Sequence, residues 1–185
     1  MKHILSSVLA IAMFLPMAAH AQQTAYSAPR AMDRATASIQ QDYMVPYAGY
    51  FDITQDDNAA AQFGVEYRVA PRYYTLRPAI GFNVSTDGSV YGYGGVFWDL
   101  ELSLIGMQNW IFTPNFVAGL YHSGDGKKLG GAAEFRSGVE LSYVFSNQHR
   151  VGVAFNHISN ASIYDRNPGA ETLLINYHIP VGKYF

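Results

Sequence analysis

Cysteine is absent from all 185 residues. That excludes disulfides and any metal site built on thiolates. Charge is scarce as well: only 14% of the side chains are Asp, Glu, Lys or Arg, with 12 basic against 14 acidic residues and a formal net charge of −2. Nucleic-acid binding needs a basic excess to displace counterions, and none is present, so no nucleic-acid partner is expected. Beyond the first twenty residues there is also no apolar run approaching the roughly 18 residues of a membrane-spanning helix. If this chain crosses a membrane as an integral component, it does so with strands.

The one apolar run, residues 4–17, follows Lys2 and precedes Ala19, His20 and Ala21, the A-x-A form of a secretory cleavage site. Residues 1–21 therefore read as a signal peptide. Residues 22–42 are rich in Ala, Gln, Ser and Thr with weak periodicity, and read as a poorly ordered N-terminal segment, a short helix being the alternative. The remainder of the chain, residues 43–185, is long enough for one domain.

Aromatic side chains are abundant there: 14 Tyr and 11 Phe contribute to an aromatic content of 15%. From Met44 onward the chain falls into segments of about ten residues with alternating polarity. In "AEFRSGVELSYVF" the odd positions Phe135, Val139, Leu141, Tyr143 and Phe145 are apolar apart from Ser137. The even positions Glu134, Arg136, Gly138, Glu140 and Ser142 are polar or small. "FGVEYRV" and "LRPAIGFN" repeat the arrangement, setting Glu66, Arg68 and Arg77 against apolar neighbours.

Segments near 44–54, 60–70, 73–85, 89–102, 107–121, 129–146, 150–160 and 171–184 make eight, an even number that closes a barrel without edges. The expected fold is all-β, an eight-stranded antiparallel transmembrane β-barrel of the bacterial outer membrane. Its charged side chains would pair inside and its apolar band would face lipid. A soluble periplasmic β-sandwich produces the same alternation with the faces exchanged, and stands as the alternative. The connections at "APR", "SLIG" and "SNQH" are short. Those at "TQDDNA", "HSGDGKK" and "ASIYDRNPGA" are longer, as outer-membrane barrels arrange their periplasmic turns and external loops, with "STDGS" an exception in length. Phe185 ends an alternating strand, as the terminal aromatic of such proteins does.

"GYGGV" lacks the Lys-Ser/Thr of a phosphate loop, so close packing inside a narrow barrel is its expected role. His122 and Asp125 have no further ligands in their vicinity and read as loop polar groups. Tyr164, Asp165, Arg166 and Asn167 read as solvated loop residues, contact with the phosphates or sugar of a substrate being the alternative. No metal or cofactor is expected.

The stretch "VGVAFNHISNASIYDRNPGAETLLINY" breaks the pattern. Its odd positions run Val151, Val153, Phe155, His157, Ser159 on one strand and Glu171, Leu173, Ile175, Tyr177 on the next. A side-chain period of two puts all three polar residues on the apolar, outward face, at the two feet of an external loop. Pairing Glu171 with either His157 or Ser159 brings the three within side-chain reach. Carboxylate, imidazole and hydroxyl are the parts of a nucleophile, its base and the base's orienter. Rim residues of a non-enzymatic barrel, structural or ligand-binding, are the competing reading.

"HISN" followed by "GAETLLINYHIP", with Glu171 fourteen residues after His157, resembles the outer-membrane lipid A 3-O-deacylases, the PagL family. "PYAGYFDI" extends a vaguer similarity, and residues 22–42 have no counterpart. The resemblance implies a serine esterase that removes the 3-hydroxyacyl chain at position 3 of lipid A in lipopolysaccharide. Ser159 would be its nucleophile, His157 its base, Glu171 the orienting carboxylate and Asn160 a member of the oxyanion hole. It leaves open whether the chain pairs as a homodimer.

Overall fold

Alternation with a period of two sends successive side chains to opposite faces of a strand, so the outcome depends on which face is enclosed. In the computed structural model of the chain, which describes residues 34–54 and 59–182, the polar face is enclosed. A short helix α1 (Arg34–Ile39) precedes β1 (Asp42–Phe51), β2 (Ala60–Arg68), β3 (Leu76–Ser85), β4 (Val90–Trp98), β5 (Leu100–Glu101), β6 (Trp110–His122), β7 (Ala133–Val144), β8 (Arg150–Ser159) and β9 (Ala170–Gly182). Phe97 pairs with Asn115 and Leu100 with Phe112 in unbroken register, so β5 continues β4 beyond Asp99. The nine segments thus form eight staves. Each is antiparallel to its neighbours, with β1 against β9 and β4 against β6 completing the ring.

All eight expected strands are present, with shifted limits. The third begins at Leu76, because Tyr73 bridges back to Leu76 in a turn, and the β2–β3 connection is longer than "APR" suggests. The first ends at Phe51, where Asp52 adopts φ 57° and turns the chain. Within the segment expected to be poorly ordered, Arg34–Ile39 is helical and buries Ala35, Ser38 and Ile39. The signal peptide and Phe185 lie outside the described residues.

The sandwich alternative is overturned. Two packed sheets would bury the apolar face, yet Phe63, Ile80, Phe82, Phe116, Val153, Leu173 and Ile175 are exposed around a closed ring. Inside, Glu66 accepts from Arg68 at 2.7 Å, from Arg136 at 2.9 Å and from Tyr93 at 2.7 Å. Glu140 takes Arg68 at 2.8 Å, Asn176 at 2.6 Å and His178 at 2.7 Å. Buried charges are tolerable only when paired and hydrogen-bonded in this way.

Nearer the turn end, Arg77 and Arg150 share Asp99, at 3.2 and 2.9 Å. The same arginines hold α1: Arg77 donates to the carbonyls of Ile39 and Gln41, and Arg150 to Ser38 Oγ. Ala35 and Ile39 pack with Ile111 and Val144. This end of the lumen is therefore filled by protein.

Interior aromatics need small partners. A Cβ on Gly64 would overlap the Tyr47 ring, and one on Gly81 would overlap the Tyr93 ring. The two phenols meet at 2.8 Å. Tyr93 of "GYGGV" points inward, as does Tyr91 just before it, so Gly92 and Gly94 face outward. Only Gly95 performs the expected close packing, since a Cβ there would run into the Phe116 carbonyl.

Candidate active site

The β8–β9 hairpin selects one of the two expected pairings: His157 lies directly opposite Glu171. Antiparallel partners on one face are close enough for their side chains to meet, and His157 Nδ1 is 3.0 Å from Glu171 Oε1. Both face outward, with 46% and 25% of their side chains accessible. The other carboxylate oxygen, Oε2, accepts from Thr54 Oγ1. Glu171 is thus held from two sides, by β8 and by the segment that leaves β1.

Ser159 is on the same face, one side-chain repeat or about 7 Å along β8 from His157, and opposite Phe135 of β7. The structure joins His157 to Glu171; no hydrogen bond joins Ser159 to His157 among the described residues. The Nδ1 contact leaves Nε2 as the ring atom directed to other partners. Gly169, with φ 63°, brings the returning loop onto the ring, where a Cβ would sit 2.8 Å from His157 Cε1. Any larger residue there would have to displace the imidazole.

Asn160 is placed differently from the oxyanion role expected of it. It is fully buried, and both its amide hydrogens are engaged: Nδ2 donates to the carbonyls of Leu129 and Arg166, each at 2.8 Å. Its Oδ1 accepts the N–H of Ser162. Its work is to clamp the β8–β9 loop to the β6–β7 loop.

Asn167 is exposed, as expected of a loop residue, and also lies beside the nucleophile candidate. Its Oδ1 accepts the backbone N–H of Asn160 at 3.0 Å, which places its amide next to the Ser159–Asn160 peptide. Its Nδ2 makes one long contact, 3.4 Å to Ser162 Oγ. Tyr164 is also structural, its hydroxyl accepting from the N–H of Ala133. A cleft of about 320 Å³ opens at this end, lined among others by His122, Lys128, Gly130 and Arg166. Leu129, whose carbonyl receives Asn160, forms part of its wall.

Thr54 was not legible as a site residue. It follows β1 and meets a residue 117 positions later. Its only sequence signal is a hydroxyl in the loop that closes the β1–β9 seam.

Residues 61–180 match the family model described as lipid A 3-O-deacylase (PagL). Lipid A deacylase PagL of Bordetella bronchiseptica is 31% identical over 51 residues, a stretch spanning 28% of this chain and 29% of that protein. Among solved structures, the crystal structure of the outer membrane enzyme PagL aligns with a TM-score of 0.58 at 16% identity, over 75% of this chain and 99% of that one. Neisserial surface protein A (NspA) aligns with a TM-score of 0.52 at 13% identity, over 75% and 96%. These two likenesses carry the fold alone.

Proposed function

Because this outer-membrane barrel belongs to the lipid A 3-O-deacylase (PagL) family, we propose that it hydrolyses the ester at position 3 of lipid A in the outer leaflet, with Ser159 as nucleophile. The observation that carries the reading is the His157–Glu171 pair on the lipid-facing surface. An ion-pairing couple gains little by standing on an apolar belt, whereas a reaction centre there meets a membrane-borne substrate without extracting it.

Glu171 accepts the Nδ1 proton of His157 and fixes the tautomer in which Nε2 is a free base. A rotation of Ser159 toward Nε2 lets the ring take the hydroxyl proton as Oγ attacks the ester carbonyl. Collapse of the tetrahedral intermediate expels the lipid A hydroxyl, which takes the proton back from His157, and leaves an acyl-serine. Water, activated by the same imidazole, then releases the 3-hydroxy fatty acid. No electrons change hands: the serine proton departs on the lipid A hydroxyl, and the proton taken from the attacking water restores the serine through His157.

Asn160 enters this scheme as a clamp, since its donors are occupied. Asn167 Nδ2, with donor capacity to spare beside Ser159, is the better candidate for the oxyanion. Lys128 and Arg166, lining the neighbouring cleft, suit the phosphates of lipid A.

Mass spectrometry of lipid A from expressing cells tests the proposal. The wild type should yield lipid A lighter by one 3-hydroxyacyl chain. Ser159→Ala and His157→Ala should each slow this by about a thousandfold or more, and the double variant should be little worse, because triad members act as a unit. A folded Ser159→Ala protein with near wild-type turnover would refute the covalent route.

A further inference from the structure

We propose that Thr54 is a positioning residue for the reaction centre, acting through Glu171; the inference rests on the ester-hydrolysis reading above. A lone carboxylate on a barrel surface can rotate about its side-chain torsions, and each rotation withdraws Oε1 from His157. In this structure both oxygens are assigned. Oε1 meets Nδ1 of His157 at 3.0 Å, and Oε2 accepts from Thr54 Oγ1. The backbone repeats the bridge, with the N–H of Ile53 donating to the Glu171 carbonyl at 3.2 Å. Thr54 therefore locks the plane of the carboxylate that orients the base.

The place of Thr54 is itself fixed from inside the barrel. Register along the β1–β9 pair runs to Phe51 and Thr172. Asp52 then takes φ 57°, sending its side chain into the interior. There its Oδ1 receives Lys127 Nζ at 2.7 Å, with both side chains buried. Lys127 comes from the β6–β7 loop, and its carbonyl accepts from Tyr121 OH at 2.9 Å. The strand ends there, and the turn after Asp52 sets both Ile53 and Thr54 against Glu171. An anchored bend ending in a hydroxyl on the second oxygen of the orienting carboxylate is the arrangement that a positioning role requires.

The test separates hydroxyl from shape. Thr54→Val keeps the branched outline and removes the donor; Thr54→Ser keeps the donor. Folding is checked for each by the mobility difference between heated and unheated barrel in gels. Thr54→Val should lower kcat on lipid A in mixed micelles by about tenfold or more with KM within about twofold, as expected for a small misplacement of a reacting group. Thr54→Ser should recover kcat to within about threefold of wild type. In a Glu171→Ala background the Thr54→Val change should cost less than about twofold, since coupled residues lose their separate effects.

A second readout does not depend on turnover. In protein carrying ¹⁵N-labelled histidine, the His157 ring should give one tautomer in wild type and Thr54→Ser, and a mixture in Thr54→Val. Equal losses in both backgrounds, failure of Thr54→Ser to rescue, or an unchanged ring signal in Thr54→Val would overturn the role of Thr54. A wild-type barrel that releases no fatty acid would overturn the hydrolase reading itself, a result distinct from an active wild type that is indifferent to Thr54.

Discussion

Asn160 and Asn167 share one loop, yet their amides answer to different demands. Removing the Asn160 side chain takes this donor from the buried carbonyl of Leu129 and the part-buried carbonyl of Arg166. Asn160→Ala should therefore cost roughly 1–3 kcal/mol of stability, read as a lower urea midpoint of the barrel in lipid. Its activity should fall only as far as the loop loosens. Asn167→Ala removes an exposed amide whose Oδ1 accepts the Asn160 N–H, and should lower the midpoint by less than Asn160→Ala does. If Asn167 Nδ2 serves the oxyanion, kcat should drop by about a hundredfold to a thousandfold with KM little altered. The opposite pattern, a stable but inactive Asn160→Ala beside an active Asn167→Ala, would return the oxyanion role to Asn160. The amino acid directly after the serine carries no mark in the sequence of where its side chain is directed. Burial decided it, through two carbonyls 31 and 6 positions away.

At the level of the strand, small residues are placed where rings from the next stave must lie. Tyr47 covers Gly64, and Gly64 is its direct partner across the β1–β2 pair. Gly64→Val should destabilise the barrel by about 1–3 kcal/mol through overpacking, and adding Tyr47→Ala should recover part of that loss. Refolding yield into detergent micelles measures both, and a double variant worse than the single would show that the glycine acts through its backbone instead. The strands themselves were legible, because polar or small residues alternate with apolar ones in "EFRSGVE" and "GVEYRV", although alternation alone left open which face is enclosed. Their pairing was legible only up to a choice: Glu171 could have met Ser159 or His157, and the loop geometry between 160 and 169 settled which. Helix α1 was legible only as the alternative to a poorly ordered segment, and the anchored bend after Phe51 was not legible. Their partners, Arg77 and Arg150 for the one and Lys127 for the other, are remote in sequence and lie inside the ring.

With the proposed site, the complete barrel reverses the usual relation between an enzyme and its solvent. Its interior is occupied by ion pairs and closed at one end by α1, and the paired His157 and Glu171 stand on the outer wall among residues such as Phe155 and Leu173. A site facing sideways into a lipid layer samples a two-dimensional sheet, so the concentration it experiences is the mole fraction of substrate in that sheet. Adding inert detergent to a fixed amount of lipid A should slow hydrolysis in proportion to the surface dilution. Diluting the whole mixture with buffer, at constant lipid-to-detergent ratio and with the protein kept in the micelles, should leave the turnover per protein unchanged. Rates that followed the bulk concentration of lipid A would mean that substrate arrives through water.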